Sequence, residues 1–418
     1  MHYDLNFAKK ERTEMMKIIQ GGICAAKGFK AAGVHCGIRK NKSKRDIALI
    51  VSDQSAAAAC VYTTNLVQGA PILVTKANVA NGYARAILCN SGNANTCNAD
   101  GIEIAEAMCA LLEKESGIAA DDVIIASTGV IGQPLPLEPI ATGMPALVAA
   151  LGDNSDAAAE AIMTTDLIKK ELAIEFELSG KTCRIGGIAK GSGMIHPNMA
   201  TMLVFITTDA AISPAMLQKA LRADIQDTFN MISVDGDTST NDMVSVMANG
   251  AAGNTPITGL GADYDAFCAA LCEVNRYLCR AIAKDGEGAT KLIECDVQGA
   301  TDMETARVVA KSVICSNLFK AAMFGSDANW GRVLSAIGSS GAKVDIHKVD
   351  VSFRSKCGYV AVCKAGASIP FSEEEAKVTL DCNEVRVEVD LCSGTGAATA
   401  WGCDLTYDYV KINGDYRT

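Results

Sequence analysis

Residues 190–202 read Lys-Gly-Ser-Gly-Met-Ile-His-Pro-Asn-Met-Ala-Thr-Met, and they hold the densest chemistry in the chain. Gly191 and Gly193 let the backbone turn where a side chain would clash. Pro197 fixes its own φ and drives His196 toward an extended conformation. Thr201 then opens an apolar, β-branched run to Thr208, the pattern of a buried strand. A hydroxyl at the head of a strand can attack the carbonyl just before it, that of Ala200. The peptide shifts from nitrogen to oxygen, and water cleaves the ester. Thr201 is then an N-terminal residue whose α-amine, titrating near ~7.7–8.0, can act as base for its own hydroxyl. Read from the residues alone, a Gly-rich turn before a core strand is the plainer and favoured alternative.

Other residues carry chemistry of the same kind. The apolar stretch 123–127 runs into Thr128-Gly129, whose hydroxyl and backbone N–H groups could hold a developing oxyanion, worth roughly 3–4 kcal/mol per donor. The same dipeptide also reads as a turn toward Pro134 and Pro136. Lys190 has two readings, since most lysines are solvated, but one followed at once by Gly-Ser-Gly is better placed to hold a carboxylate at the floor of a cleft. A phosphate loop needs its lysine after the glycines, so nucleotide binding is unsupported. Glu287, between Gly286 and Gly288, can approach a substrate closely. The asparagine-rich run 90–98 reads as a loop, since Asn tolerates αL geometry. The segment 233–242 carries three aspartates but lacks the spacing of a calcium loop, and reads as a polar site wall or a turn.

Composition excludes several classes. The 418 residues carry a formal charge of −10 and no basic stripe, which argues against nucleic acid and anionic membrane as partners. Seventeen cysteines are scattered with no C-x-x-C pair, and the four histidines lie far apart, so no metal site is expected. Dispersed thiols fit a reducing cytoplasm, with cysteine used as a small hydrophobe. The first twenty residues lack the apolar core of a secretory signal, and no run of 18 apolar residues marks a membrane span.

The elements that must position these groups follow from periodicity. Strands are expected at 47–51, 58–63, 71–75, 84–90 and 123–127, suggesting an antiparallel sheet. Helices are expected at 101–116, 136–151, 155–163, 214–229, 264–284, 303–315, 318–324 and 332–337. A hairpin around Ser179-Gly180 joins strands 173–178 and 181–189 and leads into Lys190. Segments 351–369 and 378–389 alternate like strand pairs. Residues 6–19 read as a short helix or a frayed extension.

The gap-free stretch 190–202 resembles the self-cleavage motif of the ornithine acetyltransferase family of arginine biosynthesis, also called glutamate N-acetyltransferase. The run 90–98 and the ending 400–418 resemble the same family, and the likeness covers nearly everything from Gly21 to Thr418. Departures are Ala26 and Ala328, where the family usually has proline, and the last positions of the asparagine run. The resemblance implies an α/β (α+β) fold of layered sheets with flanking helices, of the N-terminal-nucleophile-like, DmpA-like kind. It implies a division into an extension (1–20), an alpha chain (21–200) and a beta chain (201–418), cleaved between Ala200 and Thr201 and forming one architecture.

The resemblance also implies roles. Thr201 is nucleophile, Thr128 and Gly129 form the oxyanion hole, and Glu287 contacts substrate and assists proton movement. Thr164, Lys190, Asn413 and Thr418 bind substrate, so the C-terminal tail should be ordered. The implied reaction is acetyl transfer from N-acetylornithine to glutamate, giving ornithine and N-acetylglutamate through an acetyl-threonine ester with ping-pong kinetics. No cofactor is implied, and acetyl-CoA is an alternative donor in some members. The two fragments should stay associated, as a dimer of the two-fragment unit. An amidase or aminopeptidase with the same nucleophile, passing the acyl group to water, is one competing reading. An uncleaved, non-catalytic binding protein is the other.

Overall fold

A computed structural model describes residues 16–196 and 202–415. Ala200, Thr201 and Thr418 lie outside the described residues, as does the first part of the 6–19 stretch. The strands, in chain order, are β1 (Lys17–Ile19), β2 (Phe29–Val34), β3 (Ile47–Tyr62), β4 (Tyr83–Asn93), β5 (Val123–Val130), β6 (Lys170–Leu178), β7 (Lys181–Lys190), β8 (Leu203–Thr208), β9 (Ile232–Ser233), β10 (Met243–Ala248), β11 (Leu292–Ala300), β12 (Asp350–Ser355), β13 (Gly358–Lys364), β14 (Ala367–Ser368), β15 (Glu384–Asp390) and β16 (Gly396–Cys403). They form two sheets in two compact units. The first unit holds the described residues through Gly191, 202–225 and Thr238–Leu278; the second holds 192–196, Gln226–Asp237 and 279–415.

The first unit is an α/β layer structure. Its sheet runs β1-β6-β7-β8-β10-β3-β4-β5, with β2 paired to β3 beside β10. Alternate residues of β3 serve opposite faces, as a period of two requires. Ala48 and Ile50 join the core under the helix Ser155–Ile162, while Ile47, Leu49 and Val51 join the core under helices Gly101–Ser116 and Leu137–Ala149. The alanine-rich composition has a packing reason. A Cβ at Gly33 would stand 2.0 Å from the Ala157 carbonyl oxygen, so small residues set the helix close to the strand.

The second unit carries the sheet β14-β13-β12-β15-β11-β16-β9. The helix Met303–Cys315 covers β16 and β11, and a Cβ at Gly402 would already touch Ile314 at 3.1 Å.

Several expectations change. The two strands 47–51 and 58–63 are one, β3, whose pairing with β4 shifts register between Val51 and Ala56. The strand expected at 71–75 is the helix Ala70–Asn78, with Pro71 in its first turn, where a missing N–H costs nothing. The sheet is mixed rather than antiparallel, since β4 runs parallel to β5 and β8 parallel to β10. The helix expected at 214–229 ends at Asp224. Residues 378–380 close the helix Glu373–Leu380, capped by Ser372, whose hydroxyl accepts from the Glu375 N–H. Within the 6–19 stretch, Lys17–Ile19 is a strand paired with β6. Cys357 and Cys382 form a disulfide, joining the β12–β13 turn to the end of helix Glu373–Leu380; the other fifteen cysteines are free. The hairpin turn is as expected, with Ser179 and Gly180 at φ +50° and +71°.

Candidate active site

Thr128 and Gly129 stand near the end of β5, and the way that end is built explains its sequence. Gly129 lies opposite Gly92 of β4, at φ +134°, and a Cβ there would sit 2.4 Å from the Gly92 carbonyl carbon. Only glycine allows both that approach and that backbone. The tip is then locked by buried amides. Ser127 Oγ donates to Asn90 Oδ1 at 2.5 Å. Asn241 Nδ2 donates to the carbonyls of Ala94, at 2.5 Å, and Ser127, at 3.0 Å. Asn241 Oδ1 in turn accepts from the Thr96 and Thr240 hydroxyls. The asparagine-rich run is thus a loop only after Asn93, since its first four residues end β4, and it is held by Ser127 and Asn241 beside Thr128.

Thr164 and Lys190 are joined through a residue the sequence reading passed over. The Asp166 carboxylate accepts from the backbone N–H of Thr164 (2.9 Å), from that of Gly191 (2.7 Å) and from Lys170 Nζ (2.7 Å). Burial alone would push this carboxyl up, but the charges of Lys170 and then Lys190 outweigh it and hold it well below the usual range. The signal for it was local: a Thr-x-Asp turn and an Asp–Lys pair four residues apart. Lys190 itself is only 8% exposed.

From Ser192 onward the loop after Lys190 belongs to the second unit. Ser192 Oγ donates to the Asp285 carbonyl, and the Glu287 N–H donates to the Ser192 carbonyl. A Cβ at Gly193 would lie 2.4 Å from the Glu287 carboxylate, so the space that Gly193 leaves is occupied by Glu287. Gly286 and Gly288 answer a different need. A Cβ on the first would press on Cys403 Sγ at 2.8 Å, and one on the second on the Tyr409 nitrogen at 2.6 Å. Asp235, one of the three aspartates at 233–242, accepts the N–H groups of Met194 (2.6 Å) and Ile195 (2.9 Å). It is a clamp on the loop, which the sequence reading left as wall or turn.

His196 is half-buried, with Nδ1 3.1 Å from Ser233 Oγ. Burial, reinforced by the Lys311 charge, pushes its pKa down to about 4, so the ring is neutral at neutral pH. Asn413, on the helix Tyr407–Asp415, donates from Nδ2 to Glu287 Oε2 at 2.7 Å. The structure thus brings together Thr164 with Lys190 in the first unit, where Thr128 and Gly129 also lie, and Glu287 with Asn413 in the second. Among the described residues no group of three His, Cys, Asp or Glu is arranged to hold a metal, and no helix is long and apolar enough to cross a membrane.

Residues 30–418 match the ArgJ family, and the chain belongs to that family. It is 52% identical over 93% of its length to "Arginine biosynthesis bifunctional protein ArgJ 1" of Clostridium acetobutylicum, covering 96% of that protein. It is 51% identical over 96% of its length to the ArgJ protein of Symbiobacterium thermophilum, covering all of it. Among solved structures, ornithine acetyltransferase of Mycobacterium tuberculosis, complexed with ornithine, is 33% identical over 44% of this chain and all of that one, with a TM-score of 0.40. The chain is accordingly an acetyltransferase of arginine biosynthesis.

Proposed function

We propose that the enzyme cleaves itself between Ala200 and Thr201 and then carries acetyl from N-acetylornithine to glutamate on the Thr201 hydroxyl. Thr201 Oγ attacks the acetyl carbonyl while its α-amine takes the hydroxyl proton. Thr128 and Gly129 hold the oxyanion. The carbon–nitrogen bond breaks, the proton passes to the departing nitrogen, and ornithine leaves an acetyl ester behind. The glutamate amine attacks that ester, forming N-acetylglutamate and restoring the hydroxyl. Lys190 receives a substrate carboxylate, Thr164 and Thr418 bind substrate, and Glu287, oriented by Asn413, assists proton movement. Acetyl-CoA is an alternative donor to the same threonine, and no cofactor takes part.

The observation that carries this reading is Lys190. The residue is only 8% exposed, and its charge acts on the buried Asp166, whose hydrogen bonds go to Lys170 and to backbone N–H groups, which suits a cation that takes an anionic ligand. Ornithine in the M. tuberculosis relative supports the choice of ligand. The alpha (21–200) and beta (201–418) fragments remain associated as a dimer of two-fragment units. In support, β8, which follows the break, is bonded between β7, which precedes it, and β10. The free cysteines fit a cytoplasmic enzyme. Incubating the enzyme with N-acetylornithine and glutamate tests the reading. N-acetylglutamate should form in step with ornithine; release of free acetate in its place would assign the chain to the amidases.

A further inference from the structure

The peptide between Met163 and Thr164 is held at both ends by charged side chains. Its N–H donates to the Asp166 carboxylate at 2.9 Å, and its carbonyl accepts from the Arg39 guanidinium. The helix Ser155–Ile162 stops just before it, and Met163 leaves that helix extended, at φ −63° and ψ +149°. A basic side chain at a helix C-terminus often does no more than satisfy a last carbonyl. Arg39 is anchored more firmly than such a cap needs. Its own N–H donates to Asp46 at 3.0 Å, and Asp46, 0% exposed, also accepts from the N–H groups of Cys36 (2.6 Å) and Gly37 (3.1 Å). The Asp46 carbonyl takes the Ser91 N–H at 2.8 Å, which ties this turn to the end of β4. The Arg39 stem then lies on Gly92, where a Cβ would meet its Cγ at 2.9 Å and its Nε at 3.5 Å. Gly92 is the sheet partner of Gly129. One side chain thus reaches from the strand tip of Thr128 and Gly129 to the peptide that carries Thr164.

We propose that Arg39 is a positioning residue for acetyl transfer, which fixes Thr164 against the Thr128-Gly129 tip by holding the Met163 carbonyl. A peptide is planar, so holding both its oxygen and its N–H leaves the plane before Thr164 no freedom to rotate. From Asp166 the same network runs on to the Gly191 N–H, beside Lys190. Arg39 and Asp166 together therefore set Thr164, Lys190 and the strand tip relative to one another. Charge-assisted bonds suit the task, being shorter and about twice as strong as neutral ones. The inference rests on the acetyl-transfer reading above.

The test measures kcat/KM for amine release from N-acetylornithine by the mature enzyme, beside a melting curve. Arg39→Met keeps the stem over Gly92 and removes the donor. It should lower kcat/KM by about 10- to 100-fold, the cost of a slightly misplaced binding group. Arg39→Lys keeps both a stem and an N–H donor and should recover most of that loss. In a Thr164→Val background Arg39→Met should cost at most about twofold, since Arg39 acts through Thr164. A mere helix cap would lower the melting temperature and show no such coupling. An unchanged kcat/KM in Arg39→Met, an equal loss with Thr164→Val present, or an Arg39→Lys enzyme as impaired as the methionine variant would each overturn the proposal. So would full activity in Thr164→Val, which removes its target. Should Arg39→Met fail to fold, Arg39→Gln in the two backgrounds decides by the same coupling. Wild-type enzyme releasing no amine from N-acetylornithine would instead sink the acetyl-transfer reading itself.

Discussion

Asn413 donates its side-chain N–H to Glu287 at 2.7 Å across 126 positions of sequence. The helix that carries Asn413 has no buried residue, so this bond is not a by-product of core packing. Removing it in Asn413→Ala should lower kcat/KM by roughly 10- to 100-fold, the range for a hydrogen bond to a charged group. The melting temperature should stay within about 2 °C, as for a surface change. Steady-state kinetics beside a melting curve check this, and an equal fall in both would contradict it.

Gly193 makes room for Glu287. A methyl group in Gly193→Ala would occupy the carboxylate's position and displace it. Activity should fall at least about 10-fold, and the effect should vanish in a Glu287→Ala background, since the two changes act on one group. A double-mutant cycle reads this directly; additive losses would show that Gly193 acts elsewhere.

Asp166 is the anion at the centre of a buried cluster. In Asp166→Asn the Lys170 ammonium, whose side chain is 0% exposed, loses its partner. Breaking such a pair costs about 3–5 kcal/mol. Urea denaturation should show a loss of that order, and a loss under about 1 kcal/mol would be inconsistent with the cluster.

His196 sets a pH dependence whose sign is definite. Its folded pKa, about 4, lies below the ordinary 6.5, so folding disfavours the protonated ring. Stability is therefore full above pH 6.5 and declines as pH falls toward 4, by at most about 3 kcal/mol. His196→Gln should flatten that stretch of the stability curve. The catalytic pH profile should owe nothing to this ring; an inflection that moves with His196→Gln would contradict that.

Much of this was legible in the sequence, and the failures have physical causes. Long amphipathic helices such as Gly101–Ser116 and Met303–Cys315 declare themselves by period. The short apolar run at 71–75 fits strand or helix equally, and Pro71 decided for a helix start. At 378–380, Ser372 and three glutamates marked a helix N-terminus that alternation obscured. Lys190 and Glu287 were legible from their type and glycine neighbours, whereas Thr164 and Asn413 were named only through the resemblance to the ornithine acetyltransferase family. Asp166, Asp235 and Asn241 were missed because they hold backbone and other side chains, and such roles appear only once distant segments meet. The Cys357–Cys382 bridge escaped for the same reason, since spacing cannot pair cysteines.

Thr201 remains the centre of the account, and denaturing mass spectrometry of the purified enzyme tests it most directly. Two fragments should appear, the second beginning at Thr201 and gaining one acetyl group after exposure to N-acetylornithine. Thr201→Ala should give a single uncleaved chain without transfer activity, and Thr201→Ser should retain some of each. An intact, unacetylated chain with full activity would contradict the account.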